Sequence, residues 1–396
     1  MLQGNNKSGT VIMRMACAIF FILFTFFYLY DYQADVIAVT QYVLSQGVTH
    51  YNRTIGAVLI TFVLWLVQMG VYAVTKLWLR THALTYLPSL LLLAILTDVS
   101  PHLDEESYLG PWLWLFPLLM VVYAAVVAVC RQIQSLDIQV NAVGLFSRIV
   151  WVNMLLMVIM ALTTVAIGCN DTLFHHRMRM ESDILSHRHG EALQVGQREA
   201  RTDSSLTCLR VYALSLRHEL GERLFTYPLV GGSEAMLPNG KSVKMMMVPE
   251  TDVYKHLGVC FQQKLSPKVY LEKLHEKHWA TPAAHDWLLC AYLLDGDLDH
   301  FAGALQRYYH VGDSIDNRQG SGQNLPLHYR EALTLYNHIS RAPRVVYHNA
   351  VMDADFEDFM DLLQKNPDPR ARYTAIRDTY AKTYWFYYKT FKMIAP

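Results

Sequence analysis

The chain has 396 residues, 53% of them hydrophobic, with 34 basic and 34 acidic side chains. That hydrophobic share is high for a soluble domain. The zero net charge argues against a general nucleic-acid binder, which carries a basic excess. The average hides a split: charged residues are few from Ile12 to Cys169, whereas beyond Asn170 the chain is charged and rich in Tyr and His. Two solvents are implied, one for each half.

A bilayer core takes about 20 mainly apolar residues per helix. Runs of that kind cover Ile12–Tyr30, Gly56–Thr75, Tyr108–Cys130 and Ile149–Cys169. The first has Lys7 and Arg14 at its start, like a signal peptide, but no small-x-small cleavage site follows, so it reads as a retained anchor. A further run, Ala83–Leu96, is short and contains Pro88; it either spans with help from Thr97 to Val99 or is re-entrant. Charge sets the orientation. Lys7, Arg14, Lys76, Arg80, Arg131 and Arg148 lie in alternate connections, while the intervening loops carry Asp31, Asp35, Asp98, Asp104, Glu105 and Glu106. Basic loops stay cytoplasmic, so five spans with the N-terminus inside are expected, and the C-terminal half is then periplasmic in a bacterium. Gln68 and Asn153 are the polar exceptions within the spans, and interhelical hydrogen bonding is their expected role.

Beyond the spans, apolar residues recur at three-and-four spacing from Phe174 to Leu224, and Gly231 to Asn239 is rich in turn residues. Helices resume near Val253. Trp287, Leu288, Ala291 and Leu294 form one stripe; Asp295-Gly296-Asp297 then makes a tight turn into a helix over Leu298–Tyr309, capped by Asp297 or Asp299. The polar stretch 312–325 lacks periodicity and reads as a flexible loop. Pro326 opens another helix, Phe356 to Leu363 mark the next, and a last helix is expected from about Arg370 to Lys392.

WLLCAYLLDGDLDHFAGAL (287–305) and HYREALTLY (328–336) resemble tetratricopeptide-type repeats, although the full 34-residue consensus does not recur. ALSLRHELGERLFTYP (213–228), HYREALTLY and VYHNAVMDADFEDF (346–359) resemble segments of multi-pass membrane proteins of Bacteroides-type bacteria that end in a helical, repeat-like domain. That resemblance implies an architecture and a bacterial envelope location, not an activity; with the spans and loop charges above, the expected location is the bacterial inner membrane.

The expected organisation is therefore all-α: a cytoplasmic tail (1–10), then a five-helix transmembrane bundle (11–169; spans near 12–30, 56–75, 83–99, 108–130 and 149–169). An irregular helical-repeat soluble domain outside the cytoplasm (170–396) follows.

Chemistry-bearing clusters are few. Fourteen of the seventeen histidines follow residue 170. On a continuous helix His187 and Glu191 would share a face, with His189 nearby, as a candidate metal set; a solvated polar face is the plainer reading. Asp295, Asp297 and Asp299 do not fit a calcium loop, whose glycine comes sixth. Asp353, Asp355, Glu357, Asp358 and Asp361 interleave with Phe356 and Phe359 as the outer face of an amphipathic helix. Six cysteines show no CxxC spacing; Cys208, Cys260 and Cys290 are left to pair in an oxidising compartment. Tyr384, Trp385, Tyr387 and Tyr388 crowd the last helix and are either a buried cap, an interfacial belt or a partner-binding surface.

No phosphate loop or nucleophile elbow occurs, and no cofactor is expected. The expected function is a non-enzymatic scaffold of the cell envelope, in contact with the lipid bilayer and with a protein or peptide partner, and with no nucleic acid. The alternatives are an enzyme acting on a lipid-linked or envelope glycan near Asp98 and Asp104 to Glu106, and a small-solute transporter.

Overall fold

The computed structural model describes residues 2–100, 110–136, 147–199, 201–259, 265–312, 314–316, 325–365 and 368–394. It divides into two compact units, Met1–Met178 and Arg179–Pro396. Asp104, Glu105, Glu106 and Cys260 lie outside the described residues.

The first unit holds α1 (Leu2–Phe27), a π-helical turn (Tyr28–Tyr32), α2 (Ala34–Leu44), α3 (Arg53–Thr75), a 3₁₀ stretch (Leu79–Tyr86), α4 (Leu87–Thr97), α5 (Trp112–Leu136) and α6 (Arg148–Ile167). Four helical segments among the described residues are long and apolar enough to cross a membrane: Thr10–Tyr32, Arg53–Thr75, Trp112–Gln132 and Arg148–Ile167. The apolar run around residues 83–99 is no single long helix. It is the 3₁₀ stretch followed by α4, whose 11 residues fall short of the length required. Leu90, Leu93 and Ala94 of α4 are buried among the surrounding helices.

Amides and hydroxyls tie this unit together. Asn153 accepts the Ala83 N–H at 2.8 Å and donates to the Ile149 carbonyl. Gln68 donates to Thr85 Oγ1 at 3.0 Å, and Ser89 to the Leu64 carbonyl at 2.9 Å. Gln33 donates to the Cys169 carbonyl at 2.9 Å. A Cβ at Gly168 would collide with the Tyr28 hydroxyl, so only glycine lets the end of α6 approach there. Gln68 and Asn153 are buried and hydrogen-bonded between elements, as the structural role requires.

α7 (Thr172–Leu185) contains the boundary between the units. The second unit continues with α8 (His189–Ala192), α9 (Ser204–Leu216), α10 (Leu220–Arg223), α11 (Glu250–Leu257), α12 (Pro267–Glu276), α13 (Pro282–Leu294), α14 (Leu298–Tyr308), α15 (Leu327–Ile339), α16 (Ala350–Lys365), α17 (Pro369–Tyr380) and α18 (Tyr384–Ile394). From Trp287 onward α13 is apolar on every side, and every residue from Trp287 to Leu294 is buried. It packs against α9, α10, α11, α12 and α14 as the centre of the helical core. The hairpin read from Asp295-Gly296-Asp297 is present: Gly296 takes φ +70° and the Asp297 carboxylate caps α14 through the His300 N–H.

Two sequence expectations need correction. The stretch 312–325 is not wholly irregular: β1 (Ser314–Asp316) pairs in parallel with β2 (Val346–His348), burying Ile315 and Tyr347. Asp313 and residues 317–324 lie outside the described residues. The last helix is two helices, α17 and α18. Thr383 Oγ1 accepts the Phe386 N–H, and the buried Glu331 carboxylate accepts the Tyr384 N–H at 2.7 Å, so a new helix N-terminus is satisfied there.

Candidate functional site

The helical spacing of α12 and α14 builds a cleft of about 760 Å³ in the second unit. α12 contributes Glu272, His275 and Glu276, which share one face at i, i+3 and i+4. From α14 come His300, Gly303, Ala304 and Arg307, a stripe at i, i+3, i+4 and i+7. α13 supplies Leu288 and Tyr292 beneath them. Gly303 leaves room for Arg344: a Cβ there would stand 3.3 Å from its guanidinium. A mid-helix glycine costs about 1 kcal/mol of helix stability, and here it keeps the cleft open.

The wall groups are held in place. The Tyr292 hydroxyl donates to Glu272 Oε1 at 3.0 Å. Burial, reinforced by Glu272, pushes the Tyr292 phenol up, so it stays a donor and Glu272 an acceptor. The His300 ring stacks on Tyr292, with centroids 5.6 Å apart, and its Nδ1 meets the Asp297 carboxylate at 2.8 Å. His275, His285 and Tyr308 form a ring cluster with centroids 4.5 to 5.1 Å apart. Burial pushes His275 down, with His285 and Arg307 adding to the shift, while Nδ1 donates to the Leu271 carbonyl at 2.6 Å. His275 Nε2 is enclosed without a hydrogen-bond partner. Among the described residues no carboxylate lies within ion-pair distance of Arg307 or Arg344. The cleft thus has an acidic wall, a basic wall and aromatic rings between them.

The residues singled out in the sequence fall elsewhere. His187 and Glu191 do not share a helix face: α7 ends at Leu185, His187 takes φ +57°, and α8 begins at His189. The His187 and His189 rings meet edge-on at 6.0 Å, and Glu191 pairs with Arg188. Among the described residues no group of three His, Cys, Asp or Glu side chains is placed to hold a metal. Asp295 accepts from Ser233 and Lys268, Asp297 caps α14, and Asp299 accepts the Tyr336 hydroxyl, so the three carboxylates serve separate ties. Cys208 and Cys290 are free and buried. Asp98 accepts the Trp112 indole N–H at 2.7 Å.

The aromatic residues of α18 turn inward. Tyr384, Trp385 and Tyr388 are buried. Tyr384 and Tyr387 hydroxyls donate to the Leu293 and Leu294 carbonyls, and the Trp385 indole to the Glu331 carbonyl at 2.7 Å. The polar atoms of Tyr384, Trp385 and Tyr387 bond within the fold.

Histidine has a second role that the sequence did not disclose. His187, His218 and His278 each follow a helix C-terminus with φ near +57°. Their N–H groups bond back to Ile184, Ser215 and His275, and the next N–H reaches Asp183, Leu214 and Leu274. Gly296 makes the same pair of bonds after α13. These histidines occupy the left-handed position that glycine ordinarily fills.

A family of unknown function (DUF6057) matches residues 259–391, a span that contains every residue of the cleft. No curated protein and no solved structure matches the chain.

Proposed function

We propose that this chain is a membrane-anchored binding protein of the bacterial cell envelope, whose C-terminal helical domain takes its partner in the cleft between α12 and α14. The cleft carries the reading. It is concave, within the size range of ligand sites (~300–1,000 Å³), and lined by polar groups held in place by neighbours rather than by core side chains. Three helix ends closed by left-handed histidines and a fourth closed by Gly296 support an irregular repeat of helical hairpins, of the tetratricopeptide type.

The anchor in this proposal has five crossings, the third made by residues 79–97. Eight 3₁₀ residues at about 2.0 Å each and eleven α-helical residues at about 1.5 Å each reach roughly 32 Å, close to the ~30 Å hydrocarbon core. A distorted helix is tolerated at that depth where protein groups satisfy its backbone, as Asn153 does for Ala83. Five crossings with basic loops inside place the helical domain in the periplasm.

Two experiments test the reading. A photo-crosslinking amino acid at Ala304, in the cleft, is expected to give a discrete adduct in cells, whereas the same residue at Glu357, on the exposed face of α16, gives none. Matching patterns at both positions, or no adduct at Ala304, would overturn it. Alkaline phosphatase fused after Pro396 is expected to be active; an inactive fusion would remove the periplasmic assignment.

A further inference from the structure

We infer, on the basis of that binding cleft, that its occupant is an acidic saccharide: a polyhydroxylated ring carrying a carboxylate. The lining restricts what can bind. Leu288 is the one large aliphatic side chain among the described lining residues, and Gly303 and Ala304 open the wall without offering an apolar pocket. An aliphatic peptide side chain would find only Leu288 to bury against, which gives such a peptide little apolar surface to gain.

The polar groups are arranged by sign. Arg307 and Arg344 stand on one side without a carboxylate partner among the described residues. Guanidinium forks bind carboxylates in bidentate fashion. On the other side Glu272 keeps acceptor positions beyond the one taken by Tyr292, and Glu276 lies one turn further on. Carboxylates of this kind accept hydrogen bonds from hydroxyl groups. The stacked rings of Tyr292 and His300 add aromatic surface beside these groups, suited to the apolar face of a sugar ring.

The test is calorimetric titration of the full chain in lipid nanodiscs with a galacturonic acid trimer, the neutral galactose trimer and a short Asp-rich peptide. The acidic trimer is expected to bind, with the neutral trimer weaker by about tenfold or more. Arg307→Ala with Arg344→Ala is expected to reduce the acidic trimer's affinity by a similar factor. Gly303→Leu, which fills the cleft without changing charge, should abolish binding without loss of helix content or thermal stability. Binding of the peptide in place of the acidic trimer, with the same arginine dependence, would overturn the saccharide assignment and leave the binding cleft standing. Equal affinity for both trimers would also overturn it. If neither saccharide nor peptide binds, the assignment falls; the Ala304 crosslink then decides whether the cleft reading falls with it.

Discussion

The two halves of the molecule solve one problem with different chemistry. Each must hold irregular backbone inside a packed helical unit. In the first unit the ties deep within the apolar helices are neutral: Asn153 holds Ala83, Gln68 holds Thr85 and Ser89 holds Leu64, while the charged Arg53 and Arg131 bind backbone carbonyls only near the helix ends. In the second they are carboxylates. Glu181 Oε2 alone accepts three successive amides, from Met246, Met247 and Val248, at 2.6 to 3.0 Å. Asp286 Oδ1 accepts the Tyr309 and Tyr329 hydroxyls, and Glu331 accepts the Tyr384 amide. A charge in hydrocarbon is costly, and amide ties suit a unit that contains four helices long and apolar enough to cross a membrane. A helical core such as that of the second unit can bury a carboxylate provided several donors meet it.

That contrast can be tested by substitution. The largest expected loss is at the tie between α15 and α18: Trp385→Ala should remove about 4 kcal/mol, through both cavity and lost indole bond. Amide hydrogen exchange in the full chain would register it as lost protection across α13, α15 and α18. Glu181→Gln should cost about 3 kcal/mol, because three amides lose a charged acceptor. Its counterpart in the first unit, Asn153→Leu, should cost only about 1 kcal/mol, read as unfolding in mixed micelles. If Asn153→Leu costs as much as Glu181→Gln, the contrast between the halves is wrong.

The contrast also has a pH signature. Burial pushes His275, His285 and His256 below their ordinary value of 6.5. Arg307 and the neighbouring His285 push His275 the same way, Asp286 opposes the shift at His285, and His218 adds to it at His256. A depressed folded-state pKa means that the unfolded chain takes up protons first. Stability of the second unit should therefore be full above pH 6.5 and fall as the pH drops below it. Replacing His275 and His285 by Gln should flatten that fall, measured by hydrogen exchange at several pH values. The smallest effect concerns the helix ends. His218→Gly should stabilise the second unit by up to about 1 kcal/mol, since glycine adopts the left-handed conformation without strain.

What could be read from the chain depended on the range of the interactions. The long apolar helices were legible because a span's length and hydropathy are local. The 3₁₀ break before α4 was not, because it depends on Asn153, seventy residues away in sequence. Likewise the break between α17 and α18 depends on Glu331, 53 residues before Tyr384. The hairpin at Gly296 was legible because its turn and cap are contiguous. The histidine-rich second half read mainly as a solvated polar face, yet three histidines close helix ends; their position just past the last helical turn was the available signal. The cleft was hidden for a different reason. His300, Gly303, Ala304 and Arg307 form a stripe only once α14 is placed, and nothing in the chain says that α12 lies opposite.

The most direct test of the proposed anchor and cleft together is the accessibility of the cleft in intact cells. Ala304→Cys, compared with the unsubstituted chain, would be exposed in spheroplasts to a maleimide that does not cross the inner membrane. Labelling of the introduced thiol is expected before lysis, and the galacturonic acid trimer is expected to suppress it. Labelling only after lysis would place the cleft in the cytoplasm and contradict the proposed anchor and partner together.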